Sequence, residues 1–104
     1  MNTLESLVAE IEQVGNEIGA CVKVRDNRRY GWFNISFKTS NTIFGNTFVV
    51  LSVNCESLEM THLIHSDSEK KFNSVEELKE FAIVELEKAN HITVDEGAVF
   101  ANYD

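Results

Sequence analysis

The side chains best equipped for chemistry in this chain are Cys21, Cys55, His62, His65 and His91. His62 and His65 stand in an H-x-x-H spacing, which on a helix would turn both imidazoles toward one metal ion. Here Leu58, Met60, His62 and Ile64 alternate as a strand does, and positions three apart on a strand face opposite ways. Cys55 nearby does not complete a usual ligand set, so neither a metal site nor a cofactor is expected. A cysteine nucleophile needs an accessible, electropositive setting to ionise at neutral pH. Cys21, beside Lys23 and Arg25, comes nearer to that than Cys55 does. His91 follows Asn90 at an expected helix end, the position of a C-terminal cation. The chain has no G-x-G-x-x-G, no Walker loop and no G-x-S-x-G. No catalytic residue is assigned, and the chain reads as non-enzymatic.

Two other groups suit binding better than reaction. Lys23, Arg25, Trp32, Asn34, Ser36, Lys38, Phe48 and Val50 share one face of a sheet if alternation holds, with Arg28 and Arg29 at the adjoining hairpin. Arginines and large aromatics make the centres of interfaces, so Arg25, Arg28, Arg29, Trp32 and Phe48 are candidate anchors. The plainer reading is a cross-strand pair, Trp32 covering Phe48 with cations lying over both. The second group is Glu76, Glu77, Glu80 and Glu87, which lie away from the apolar stripe of a helix, with Glu85 near its border. Carboxylates on a rigid element can imitate a row of phosphates for a basic groove. The plainer reading is a solvated helix face, broken by Lys79 and Lys88. Glu76 and Glu80, one turn apart, repel each other.

The net charge is −8 and its distribution is uneven. Residues 1–50 sum to zero, so the whole excess lies in the second half. Such a field repels phosphates beyond contact range and argues against direct DNA or RNA binding, although bases beside aromatics can stack single strands.

The elements that must position these groups follow from periodicity. Leu4, Leu7, Val8, Ile11, Val14 and Ile18 make one helical stripe, with Asn2 as cap and Gly19 as the left-handed residue after it. From Ala20 the period becomes two. Val22 and Val24, then Phe33, Ile35 and Phe37, then Val49, Leu51 and Val53 form the inward rows of successive strands, and 58–64 suggests a fourth. Residues 66–73 read as a loop. Ser74-Val75-Glu76-Glu77 is a capping box opening a second helix, whose stripe is Val75, Leu78, Phe81, Ala82, Leu86 and Ala89. Ile92–Val94 reads as a last strand and Asp95-Glu96-Gly97 as a turn. Short connections require an antiparallel arrangement. The expected fold is therefore α+β: an antiparallel four- to five-stranded meander with two helices on one face, in the order α-β-β-β-β-α-β. The other face is left open.

At 104 residues, 43% hydrophobic and 25% charged, the chain suits a single domain, 1–104, with one modest core. No apolar run is long enough for a bilayer span, and no signal peptide is evident at Met1-Asn2-Thr3-Leu4-Glu5. A cytoplasmic chain with reduced cysteines is expected.

The layout of helix, meander and acidic helix, with the helix start Phe72-Asn73-Ser74-Val75-Glu76-Glu77-Leu78, resembles the small phage-encoded inhibitors of bacterial defence, of the anti-CRISPR kind. Acidic single domains of that group often block the nucleic-acid channel of a nuclease complex. It is also similar to type III secretion chaperones, which are acidic dimers that hold an unfolded segment. The resemblance implies a protein that inhibits or modulates a larger protein or nucleoprotein complex by occupying a surface, as monomer or homodimer. A chaperone or dimeric adaptor is the second expectation, and a small enzyme using Cys or His the third.

Overall fold

The structure, a computed structural model, describes the backbone of residues 3–65 and 68–103 and the side chains of residues 3–63 and 69–90. Its elements are α1 (Leu4–Glu17), β1 (Cys21–Asn27), a 3-10 turn (Arg28–Tyr30), β2 (Trp32–Lys38), β3 (Thr47–Asn54), β4 (Met60–His65), β5 (Ser68–Phe72) and α2 (Val75–Tyr103). The α+β layout matches the expectation. One antiparallel sheet has the strand order β1-β2-β3-β4-β5, and both helices pack on the same face of it.

Local chemistry sets the helix ends. Thr3 caps α1, its Oγ1 accepting from the Ser6 N–H at 3.1 Å. Asn2, expected in that role, lies outside the described residues. Gly19 holds φ +83°, the left-handed geometry foreseen for it, and the next N–H, that of Ala20, reaches the Gly15 carbonyl at 2.8 Å. At α2 the Ser74 cap forms, and the Glu77 carboxylate reaches back one residue beyond it. The Glu77 N–H donates to Ser74 Oγ at 3.1 Å, and Glu77 Oε2 accepts from the Asn73 N–H at 3.1 Å.

The core lies between the sheet and the helices. Leu7, Val8, Ile11 and Val14 from α1 and Leu78, Ala82 and Ala89 from α2 meet Phe33, Ile35, Phe37, Val49, Leu51, Val53, Met60 and Phe72 from the strands. Burying each larger side chain here contributes about 1.5–3 kcal/mol. Lys79 ties α2 to Glu17 of α1 at 2.8 Å, which holds the exposed Glu17 carboxyl below its ordinary pKa.

Three expectations are corrected. The stretch read as a loop contains β5, because the pairing Met60↔Phe72 carries Phe72 into the core. The exposed Lys70 sets its ammonium 5.7 Å from the Phe72 and Phe81 ring centres, a favourable contact of a cation with aromatic faces. The backbone at 92–97 is helical, so the last strand and its turn are not formed. A helix already running adds one hydrogen bond per residue, and β-branched residues oppose it by only tenths of a kcal/mol each. The fifth strand thus precedes α2.

The third correction concerns Phe48. β2 pairs Phe37 with Val49 but Lys38 with Thr47, so Phe48 is the extra residue of a bulge. It turns inward beside Val49, is 8% exposed, and sets its ring 6.1 Å from that of Phe37. Phe48 therefore does not belong to the open face.

Candidate docking surfaces

Register identifies the uncovered face. Cross-strand partners share a face, so Lys23, Arg25, Asn34, Ser36, Val50, Ser52 and Thr61 stand together opposite the helices, with Trp32 and Lys38 at the two ends of β2. Lys71, opposite Thr61, joins them. Trp32 is 44% exposed and stands between Asn27 and Asn54, with no aromatic across from it. A shallow trough of about 580 Å³ runs past Lys23, Arg25, Asn34, Ser36, Thr47 and Val50. Asn34 Oδ1 is buried there with no hydrogen-bond partner among the described residues, an arrangement that usually costs about 1–3 kcal/mol.

The charge of this face opposes that of the whole chain. Lys23, Arg25, Lys38 and Lys71 point outward, against Glu69 on β5. The exposed Glu10, Glu17, Glu76, Glu80 and Glu87 belong to the helices behind. The two candidate surfaces therefore lie on opposite sides and do not form one site.

Not every candidate residue stays available. Arg28 folds away from the open face. Its guanidinium bonds Asp26 at 2.8 Å, approaches Glu5 at 3.7 Å, and lies 5.3 Å from the Phe33 ring centre on the helix side. The same contact holds the Asp26 carboxyl below its ordinary pKa. Arg29 lies over Tyr30, 5.4 Å from the ring centre. Glu77 is occupied as a cap, whereas Glu76, Glu80 and Glu87 are exposed.

His62 proves to be a structural residue. β3 pairs with β4 from Val53↔Met60 to Leu51↔His62, and its earlier residues have no β4 partner in the register. The imidazole fills that place. Val50 N–H donates to Nδ1 at 3.2 Å, and the Val50 carbonyl lies 3.1 Å from the same nitrogen. The ring packs 4.9 Å from Phe81, and burial pushes its pKa below the ordinary histidine value against the opposing pull of Val50 and Glu85. Cys21 and Cys55 are free thiols at opposite ends of the sheet. The side chains of His65 and His91 lie outside the described residues. Among the described residues no group of His, Cys, Asp and Glu is placed to hold a metal ion, and no helix is long and apolar enough to cross a membrane.

The chain matches no family model, no curated protein and no solved structure. Its geometry is therefore the ground for any functional reading.

That geometry includes a feature the sequence reading passed over. The β2–β3 loop presents Ile43 at 93% and Phe44 at 80% exposure. Within it the Thr39 N–H donates to the Asn46 carbonyl at 2.9 Å and the Asn46 N–H to Thr39 Oγ1 at 2.9 Å. The Phe44 N–H donates to Thr42 Oγ1 at 3.2 Å, and the Gly45 N–H to the Thr42 carbonyl at 3.0 Å. A Cβ at Gly45 would collide with the Ser40 carbonyl. The signal in the sequence was an Ile-Phe pair inside an uncharged run of turn-forming residues, Thr39–Asn46.

Proposed function

We propose that this chain is a non-enzymatic binding protein that inhibits or modulates a larger protein or nucleoprotein assembly by laying its open sheet face on an acidic surface of that assembly. The observation that carries the reading is the segregation of charge. In a chain of net −8, the one sheet face without helices carries Lys23, Arg25, Lys38 and Lys71 against Glu69 alone, with Trp32 at one end of β2. Solubility alone gives no reason for such sorting. A half-exposed tryptophan on the same face as arginine and lysine supplies the residue types that anchor interfaces. An inhibitor of the kind the layout resembles would use this face to occlude its target.

A second reading rests on α2. Glu76, Glu80 and Glu87 are exposed along one side of a helix, so the complementary partner is a basic protein groove that would otherwise hold nucleic-acid phosphates. One experiment separates the two. The tagged chain is cross-linked to its bound assembly in host extract, and Arg25→Glu with Trp32→Ala is compared with Glu76→Lys with Glu80→Lys. The leading reading expects cross-links at Lys23 and Lys71 and at least tenfold weaker capture for the first pair alone. Loss confined to the second pair moves the function to α2. Full capture by both variants rejects both surfaces.

A further inference from the structure

We infer that the free edge of β1 takes an extended, acid-rich peptide segment as a sixth strand of the sheet, with alternate carboxylates of that segment facing Lys23 and Arg25. The inference rests on the open-face reading for the sign of the partner's charge, and it adds the form in which the chain grips that partner.

The edge itself is the first observation. β1 pairs with β2 along its whole length and stands first in the strand order, so no strand lies on its other side. In an antiparallel pair, alternate residues exchange bonds with the neighbour and the rest turn their N–H and C=O outward. Beyond that ladder, residues 21–27 make no further backbone hydrogen bond among the described residues. Such a row of outward groups is a template for another extended chain.

The side chains along the edge define which chain fits. On the open side stand the exposed Lys23 and Arg25, with Lys38 across from Cys21 adding charge of the same sign. On the helix side stand Val22 and Val24. Val24 pairs with Ile35, which is fully buried, yet Val24 is 37% exposed because the sheet ends beside it. Asp26, the one acid of the strand, is held by Arg28 at 2.8 Å. A strand added about 4.8 Å away would therefore cover Val24 with an apolar side chain and set its alternate residues beside the two cations. The complementary sequence alternates acidic and apolar residues.

The opposite edge lacks these properties. β5 has five residues, and its pairing with β4 slips between Leu63 and His65. Its open side carries Glu69 and Lys71, of opposite sign, so it selects no charge. Breaks of register of this kind protect an edge from pairing.

Other occupants of the β1 edge fit less well. A second copy, antiparallel and centred on Val24, would set Lys23 of each chain across from Arg25 of the other. Edge cations thus guard against self-pairing, and an acidic strand is the one they admit. A nucleic acid strand would meet the cations but has no peptide groups to continue the ladder.

The test uses the intact chain and a seven-residue peptide of alternating glutamate and valine with blocked ends, matched in length to β1. Binding is followed by isothermal titration, and amide exchange is followed by nuclear magnetic resonance. The peptide should protect alternate amides within residues 21–27, and a lysine–valine peptide should not bind. N-methylation of the glutamates or of the valines, one set and not the other, should abolish binding, because only one set faces the β1 backbone. Lys23→Glu with Arg25→Glu, shown to be folded by circular dichroism, should weaken the glutamate peptide more than about tenfold and admit the lysine peptide. No binding at about 1 mM peptide, protection at β5 instead of β1, equal effects of the two methylated sets, or an unchanged preference in the variant overturns the proposal. The methylated peptides leave the protein untouched, so their result stands even if the variant fails to fold. Capture of the assembly that still depends on Trp32 after such a failure leaves the open-face reading in place, so the two ideas fail separately.

Discussion

Replacing Phe48 and Trp32 by alanine, one at a time, tests both the sheet register and the membership of the open face. Simple alternation puts the two rings on the same side; the bulge between Phe37 and Lys38 separates them. Phe48 is 8% exposed and packs against Phe37, so Phe48→Ala removes a buried ring and leaves a cavity. Such a change costs about 3–5 kcal/mol. A domain of this size is stable by about 5–15 kcal/mol, and each kcal/mol moves Tm by roughly 4–8 °C. The melting temperature should therefore fall by roughly 12–40 °C. Trp32 is 44% exposed on the wet side, where water fills the vacated space, and Trp32→Ala should cost only about 1–2 kcal/mol. The assay is urea unfolding followed by far-ultraviolet circular dichroism, because Trp32 is the only tryptophan and cannot report its own loss. Binding should divide the other way: Trp32→Ala weakens capture of the target, and Phe48→Ala, under conditions where it is folded, leaves capture intact. Equal destabilisation, or a larger loss at Trp32, would refute the bulged register and return Phe48 to the docking face.

Three further perturbations follow from the geometry. Gly45→Ala drives a methyl into the Ser40 carbonyl, so it should destabilise the fold by about 1–3 kcal/mol, read as a lower urea midpoint. His62 has its pKa lowered in the folded state, so the unfolded chain binds the extra proton more readily. Stability is complete above the unfolded histidine value of about 6.5, declines as pH falls from there toward the folded pKa, and the decline should be reduced in His62→Gln. Ser74→Ala removes the acceptor for the Glu77 N–H and should cost about 1 kcal/mol, visible as a lower urea midpoint.

Much of this architecture was legible because burial repeats at fixed intervals. The stripe of α1 and the rows Phe33-Ile35-Phe37 and Val49-Leu51-Val53 point inward as their spacing requires. The cap at Ser74 is formed, with the Glu77 carboxylate bonding the Asn73 N–H. Reading failed where a residue's type and its surroundings part company. Ser68–Phe72 looks like a loop because its lysines are polar, but a lysine ammonium can sit over aromatic rings, and an edge strand can be held by one inward residue, Phe72. Ile92–Val94 favours a strand by residue type, yet a helix in progress overrides that small preference. Phe48 was misassigned because alternation has no means of counting a bulge. For the candidate site, Arg25, Trp32, Glu76, Glu80 and Glu87 were found on exposed positions, whereas Arg28 and Glu77 proved to serve local structure. Ile43 and Phe44 fall in a stretch that turn-forming residues mark only as irregular, and the coordinates show both side chains outside.

The strictly sequential strand order has a bearing on biosynthesis. Each strand pairs with the one made just before it, so successive hairpins can assemble as the chain leaves the ribosome, without waiting for distant partners. The half of the core given by Leu78, Ala82 and Ala89 arrives with α2, after every strand is complete. Until then Leu51, Val53 and Met60 face solvent or α1 alone, and the nascent meander is prone to stick to its neighbours. Slow translation through residues 75–89 would lengthen that vulnerable interval, and a nascent-chain chaperone would find its binding site there.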